Sequence, residues 1–182
     1  MCLSSDPGIN QWSKNYEMMI NDHADFPMKV QDNLALLDKL GIPYQIMVFD
    51  DPAHRASQAA ELLGCELGAV VKSLVFLIDG TDLLLVLVSG ENRVDMKQLK
   101  GIVGQEITQA KPSDVKKLTG YVVGSVPPFG IPGDFPVVID EDLMRFETVW
   151  AAAGSAHILL CLTPKNLQQL SGGTAMSVKE NR

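Results

Sequence analysis

Lys72 is the single charge in "AVVKSLVFLI", residues 69–78. Alternation along an extended strand puts it on one side with Val70, Leu74, Phe76 and Ile78. An ammonium in that company needs a partner, an opening or a ligand, because burying it unpaired is costly. A lysine near a strand end can also snorkel to water. The pattern by itself admits both readings. A second stretch, "GYVVGSVPPFGIPG" at 120–133, has no ionisable side chain other than that of Tyr121. Gly124 and Gly130 permit close backbone approach and positive φ, while Pro127 and Pro128 fix φ and remove two amide donors. Ser125 lies between them, and Phe129 offers a flat apolar surface. Such a segment is either a structural turn or a stiff wall that presents backbone groups to a ligand. A third, "AAAGSAH" at 151–157, sets Gly154 and Ser155 just before a strand. A glycine followed by a small hydroxyl suits close approach to a ligand. His157 stands where G-x-S-x-G would need glycine, which weighs against a serine-hydrolase elbow. His157 itself reads as a hydrogen-bonded structural histidine, and His54 in "DDPAHRAS" as exposed or helix-capping.

These residues must be held by the elements around them. Residues 1–26 are polar and aperiodic and read as a loosely ordered extension; residues 27–182 read as one domain. From Met28, apolar residues recur at helical spacing (Val30, Leu34, Leu36, Leu37 and Leu40) until Gly41 and Pro43 stop the helix. "YQIMVF" reads as a strand and "RASQAAELLGCELG" as a second helix. "AVVKSLVFLI" and "LLLVLVS" flank "DGTD", which predicts a hairpin in a sheet covered on both sides. "VDMKQLKGIVG" and "PSDVKKLTG" read as short crossing helices opened by Asp95 and Ser113. "FPVVID", "VWAAAG" and "HILLCLT" are three further strands, and "TPKNLQQLSG" is a helix with Thr163 as N-cap. The irregular alternation predicts a compact α/β domain with a mixed sheet rather than a regular doubly wound one.

Composition narrows the function classes. The chain has 182 residues, 46% of them hydrophobic, enough for one core. A net charge of −7 argues against a broad grip on nucleic acid, DNA included, though a small contact with a nucleic-acid end stays compatible. Lys97, Lys100, Lys111, Lys116 and Lys117 are the candidates for a local basic patch. Cys2, Cys65 and Cys161 show no metal-ligand spacing among themselves or with the three histidines, so no metal is expected and the thiols read as reduced and cytoplasmic. No apolar run reaches the roughly 18 residues of a membrane span. No phosphate-binding loop, dinucleotide fingerprint or zinc motif is present, so no cofactor is expected.

Taken in order, "AAELLGCELGAVVKSLVF", "LVLVSGENRVDMKQL", "DVKKLTGYVVGSVPPFG", "VVIDEDLMRFETVWAAAGSAH" and "LTPKNLQQL" resemble the YbaK/proline-tRNA-synthetase-associated family of aminoacyl-tRNA deacylases. The likeness runs from about residue 30 to 172. It implies a curved, largely antiparallel mixed sheet crossed by helices. It also implies trans-editing: hydrolysis of the ester joining a wrong, small amino acid to tRNA, often tRNA for proline. The aminoacylated 3′ end of tRNA would be the partner, with a synthetase as a second candidate. By motif position Lys72 is the functional lysine. Gly124, Ser125, Pro127, Pro128, Phe129 and Gly130 form the loop beside the substrate, and Gly154 with Ser155 the opposite wall. Asp140 and His157 occupy less uniform positions and carry no assigned role. A module of another class, binding an amino acid or tRNA end without turnover, is the alternative.

Overall fold

The computed structural model describes residues 23–180. The expected extension therefore falls almost wholly outside the described residues. Of it, His23–Asp25 form a 3-10 turn, and Phe26 packs against the first helix. That helix, α1 (Met28–Leu40), buries Val30, Leu34 and Leu37 of the expected stripe and Asn33 with them, while Leu36 is half-buried and Leu40, in the last turn, is exposed. It ends at Gly41 in the left-handed conformation, φ 64°. β1 (Gln45–Val48) and α2 (Ala56–Leu63) follow.

β2 (Val71–Ile78) and β3 (Asp82–Ser89) form the expected antiparallel hairpin, with Val71 opposite Ser89 and Ile78 opposite Asp82. After Asp82, every residue of β3 is buried, so both faces of this sheet are covered. α3 (Met96–Val103) begins at Asp95, whose carboxylate accepts from the amides of Lys97 and Gln98. β4 (Ile107–Gln109) and α4 (Pro112–Thr119) come next. Ser113 is not the cap of α4. The helix starts one residue earlier, at Pro112, and Asp114 closes the first turn by accepting from the amide of Lys111. Proline at the first helical position outweighs the serine signal because its fixed φ is already helical. β5 (Val137–Asp140), β6 (Val149–Ser155), β7 (Ile158–Leu162), α5 (Pro164–Ser171) and β8 (Thr174–Met176) complete the chain. Thr163 caps α5 as expected, accepting from the amide of Asn166.

The strands form two sheets rather than one: β4-β2-β3-β5-β8 and β1-β7-β6. β3–β5 and β5–β8 are parallel and the other ladders antiparallel, so the fold is mixed α/β as expected. One face of the larger sheet (Val71, Val75, Leu85, Leu87, Ile139) packs on α4, α5 and the loop that follows α4. Its other face (Phe76, Ile78, Leu84, Val86, Val88) packs on Leu99 of α3 and on Val178. The smaller sheet is sandwiched between α1 and α2. Among the described residues the two sheets are hydrogen-bonded at one parallel bridge, Val70 with Trp150, beside which Val71 and Val75 pack with Val149 and Ala151.

Candidate active site

The segment after α4 is built as a stiff loop. Gly120 ends the helix at φ 76°. The amide and hydroxyl of Ser125 both donate to the Val122 carbonyl, at 3.0 and 2.9 Å, closing a turn around Gly124, φ 87°. Val122 and Val123 are left exposed at its tip. Past the turn the side chains go inward. Val126 and Ile131 join Val71 and Val75 under the larger sheet, while Phe129 joins Val30, Leu34, Leu37 and Ala153. Pro127 and Pro128 are buried as well. The expectation that Phe129 offers a surface to a ligand is thus corrected: its ring is 3% exposed and belongs to the core. Apolar burial of an aromatic ring outweighs its use at an opening. What the loop presents outward is backbone at Gly124 and Gly130, and Gly124 faces the ring and carbonyl of His54.

Gly154 stands at a register shift between Ala152 and Ser155 of β6, with φ 108°. Asn33 of α1 joins it to the loop. This amide is 2% exposed and donates to the Ala153 carbonyl at 3.0 Å and to the Tyr121 hydroxyl at 3.3 Å. A methyl group on Gly154 would come within 3.1 Å of Tyr121 and 3.2 Å of Asn33, and one on Gly130 within 2.2 Å of Asn33 Oδ1. Gly130 and Gly154 are therefore brought together through one buried side chain. Asn33 had a signal in the sequence, a polar residue on the apolar stripe of α1, three after Val30 and four before Leu37. Ser155 is used locally: its hydroxyl accepts from the amide of His157 across the β6–β7 turn. His157 is exposed, and its Nδ1 lies 3.1 Å from the Phe49 carbonyl, a hydrogen-bonded contact that ties the turn to the end of β1.

Lys72 is half-buried on the α3 face of β2, and its ammonium donates to the backbone carbonyl of Asn92. The loop packs on the opposite face of the same strand. Asn92 is itself fixed: its amide donates to Asp140 at 2.8 Å and to Asp142 at 2.7 Å. Asp140 is fully buried and also accepts from the amides of Ser89 and Asp142. Hydrogen bonds from Lys179 and Asn92 hold the Asp142 carboxyl below the usual carboxylate range, and Asp142 in turn raises the Lys179 ammonium. Ser73, next to Lys72, points to the other side. Its hydroxyl is buried with no hydrogen-bond partner among the described residues.

The two strands that carry Lys72 and Gly154 begin side by side and then part. After the Val70–Trp150 bridge they continue in different sheets. β4 covers only Phe76–Ile78 of β2, so the edge of residues 71–74 toward β6 lies outside any ladder. Lys72 is two residues past the bridge on β2, and Ala152 is two past it on β6.

The profile of the aminoacyl-tRNA editing domain matches residues 50–170, which takes in every site residue above except Asn33, Phe49 and Lys179. YwhH of Bacillus subtilis is 35% identical over 123 residues, covering 68% of this chain and 78% of that protein. ProXp-y of Escherichia coli K12, named as a multifunctional Ser/Thr-tRNA deacylase, is 29% identical over 126 residues, covering 66% and 75%. A crystal structure described as that of a candidate trans-editing enzyme for prolyl tRNA synthetase superposes with a TM-score of 0.79 at 35% identity, over 86% of this chain and 100% of the other.

Proposed function

The chain belongs to the aminoacyl-tRNA editing domain family, and from that premise we propose that it hydrolyses the ester joining a wrong, small amino acid to the 3′ end of tRNA. The tRNA for proline is the proposed carrier, with a synthetase as a second partner and the cytoplasm as the compartment. The observation that carries this reading is the parting of β2 from β6. It sets Lys72 on one strand and the Gly154 bulge on the other, with the edge of residues 71–74 between them outside any ladder.

An aminoacyl ester is already activated, so its hydrolysis needs a positioned water or neighbouring ribose hydroxyl and stabilisation of the tetrahedral oxyanion. Lys72 supplies positive charge for the terminal nucleotide or the ester. The Asn92 carbonyl that holds its ammonium is anchored by Asp140, so the lysine starts from a defined position. The backbone at Gly124 supplies a wall without a Cβ atom, against which the amino-acid end can lie close, while the absent Cβ atoms of Gly130 and Gly154 admit Asn33 and Tyr121, which fix the backbone of that wall. Selection among amino acids then rests on pocket shape, where one methylene is worth about 1–3 kcal/mol.

The test is a panel of alanyl-, cysteinyl-, seryl- and threonyl-tRNA, with release of free amino acid as the readout. Wild type releases at least one of them, and Lys72→Ala slows that release by about 100-fold, the scale of losing one transition-state donor. A variant within twofold of wild type removes the lysine's role. Retained tRNA binding with no release from any member of the panel identifies a binding module instead.

A further inference from the structure

The lysines of this acidic chain are not equivalent. Lys100 pairs with Glu106, Arg145 with Glu91 and Lys179 with Asp142, so each of those charges meets a carboxylate. Lys29 of α1 and Lys116 of α4 instead both donate to one neutral acceptor, the carbonyl of Gly120 at the end of α4, the second at 3.0 Å. The Lys29 ammonium also sits 4.4 Å from the centre of the Tyr121 ring. Lys117, exposed and without a hydrogen bond among the described residues, stands beside them on α4. None of the three forms an ion pair among the described residues. Lys29 and Lys117 border an open hollow of about 350 Å³ between α1 and the end of α4, together with Asp32, Tyr121, Gly120 and Gly130, and Lys116 reaches it only through the Gly120 carbonyl.

A helix C-terminus attracts cations and explains one lysine at Gly120, since it carries roughly half a negative charge. Asp32 contributes one more. The two bordering ammonium groups outweigh these by about half a charge, and Lys116 on the same Gly120 carbonyl adds to the surplus, so the hollow stays positive in a chain whose net charge is −7. Its position adds to this. Gly130 and Asn33 line the hollow, and the same Asn33 holds Ala153 beside Gly154. Asn33 thus links the hollow to the Gly154 bulge.

We propose that this hollow is a phosphate-binding site for the backbone of the tRNA acceptor arm, holding the strand whose end reaches toward the Gly154 bulge and Lys72. The inference rests on the deacylase reading for the identity of the RNA, but its test does not use deacylation. Uncharged tRNA labelled at its 5′ end is titrated with protein from about 50 to 200 mM salt, the range over which phosphate contacts are lost steeply. The double variant Lys29→Gln, Lys117→Gln weakens binding by about fivefold per lysine and lowers the slope of log Kd against log salt by about 2. Lys165→Gln, an exposed lysine on α5, moves neither. Lys117→Gln alone gives half the effect and removes no internal contact, which separates lost binding from lost folding. An unchanged slope with affinity within twofold of wild type overturns the proposal. So does inorganic phosphate competing as well as the tRNA does, which marks a site for free anions. If wild type binds uncharged tRNA with the expected slope but releases no amino acid, the deacylase reading falls and this site stands. If the double variant keeps the slope while wild type deacylates, only this site falls.

Discussion

Gly130 and Gly104 share one backbone conformation, φ 72° and 76°, and differ in what surrounds them. A Cβ on Gly104, at the end of α3, would meet nothing within 4 Å, whereas one on Gly130 would lie 2.2 Å from Asn33 Oδ1. Alanine at either position carries the left-handed penalty of about 1–2 kcal/mol. Only at Gly130 must a second residue move, and Asn33 is buried and held by two hydrogen bonds. Gly130→Ala is therefore expected to cost about 1–2 kcal/mol more than Gly104→Ala in urea unfolding, by the strain of overpacking. It should also slow amino-acid release, whereas Gly104→Ala leaves release intact. Equal losses for the pair would show that the close approach of Asn33 has no energetic weight.

At the scale of elements, α1 acts as a clamp on the loop and on β6. Replacing Asn33 by leucine keeps the branched outline of the side chain but orphans the Ala153 carbonyl and the Tyr121 hydroxyl, a loss of about 1–3 kcal/mol. Thermal and urea unfolding should show that loss, and turnover should fall with it because Gly154 is no longer fixed. Full stability with normal turnover would refute the clamp. The helix itself was legible: its apolar stripe and its stop at Gly41 and Pro43 gave both face and length. So were the β2–β3 hairpin and the capped ends of α3 and α5, because period, turn and cap act locally there. β4 and β8, three residues each, were not read. Strands that short exist through pairing with Phe76–Ile78 and Val138–Asp140, and local sequence does not encode partners. The separation into two sheets was hidden for the same reason. For the site, the residue types of the glycine-proline loop were readable. That Phe129 turns into the core and that Asn33 joins Gly130 to Gly154 depended on tertiary packing.

Across the whole molecule, the C-terminal segment closes the large sheet and fixes the stretch that holds Lys72. β8 lies parallel to β5, Val94 bridges Lys179, and Lys179 reaches Asp142 at 2.7 Å, the carboxylate that Asn92 also contacts. Asp142 has a lowered folded pKa, so its contribution is present above its unfolded value of about 3.9 and lost as pH falls through the folded one. Lys179 is raised, so its contribution is present below about 10.4 and lost as pH rises through its folded value. The pair is thus complete between about pH 4 and 10. Asp142→Asn should lower the unfolding midpoint at pH 7, and the gap to wild type should begin to close below about pH 4 and vanish only once pH has fallen through the lowered folded pKa, where the native carboxylate is itself protonated. A gap that stays constant down to acid pH would mean that the asparagine acts through packing and not through charge. Because Asn92 bonds both Asp142 and Asp140 and its carbonyl holds Lys72, the same variant should also loosen the lysine and slow amino-acid release at neutral pH. Asp140 still anchors Asn92 in that variant, so the expected fall in rate is smaller than that of Lys72→Ala.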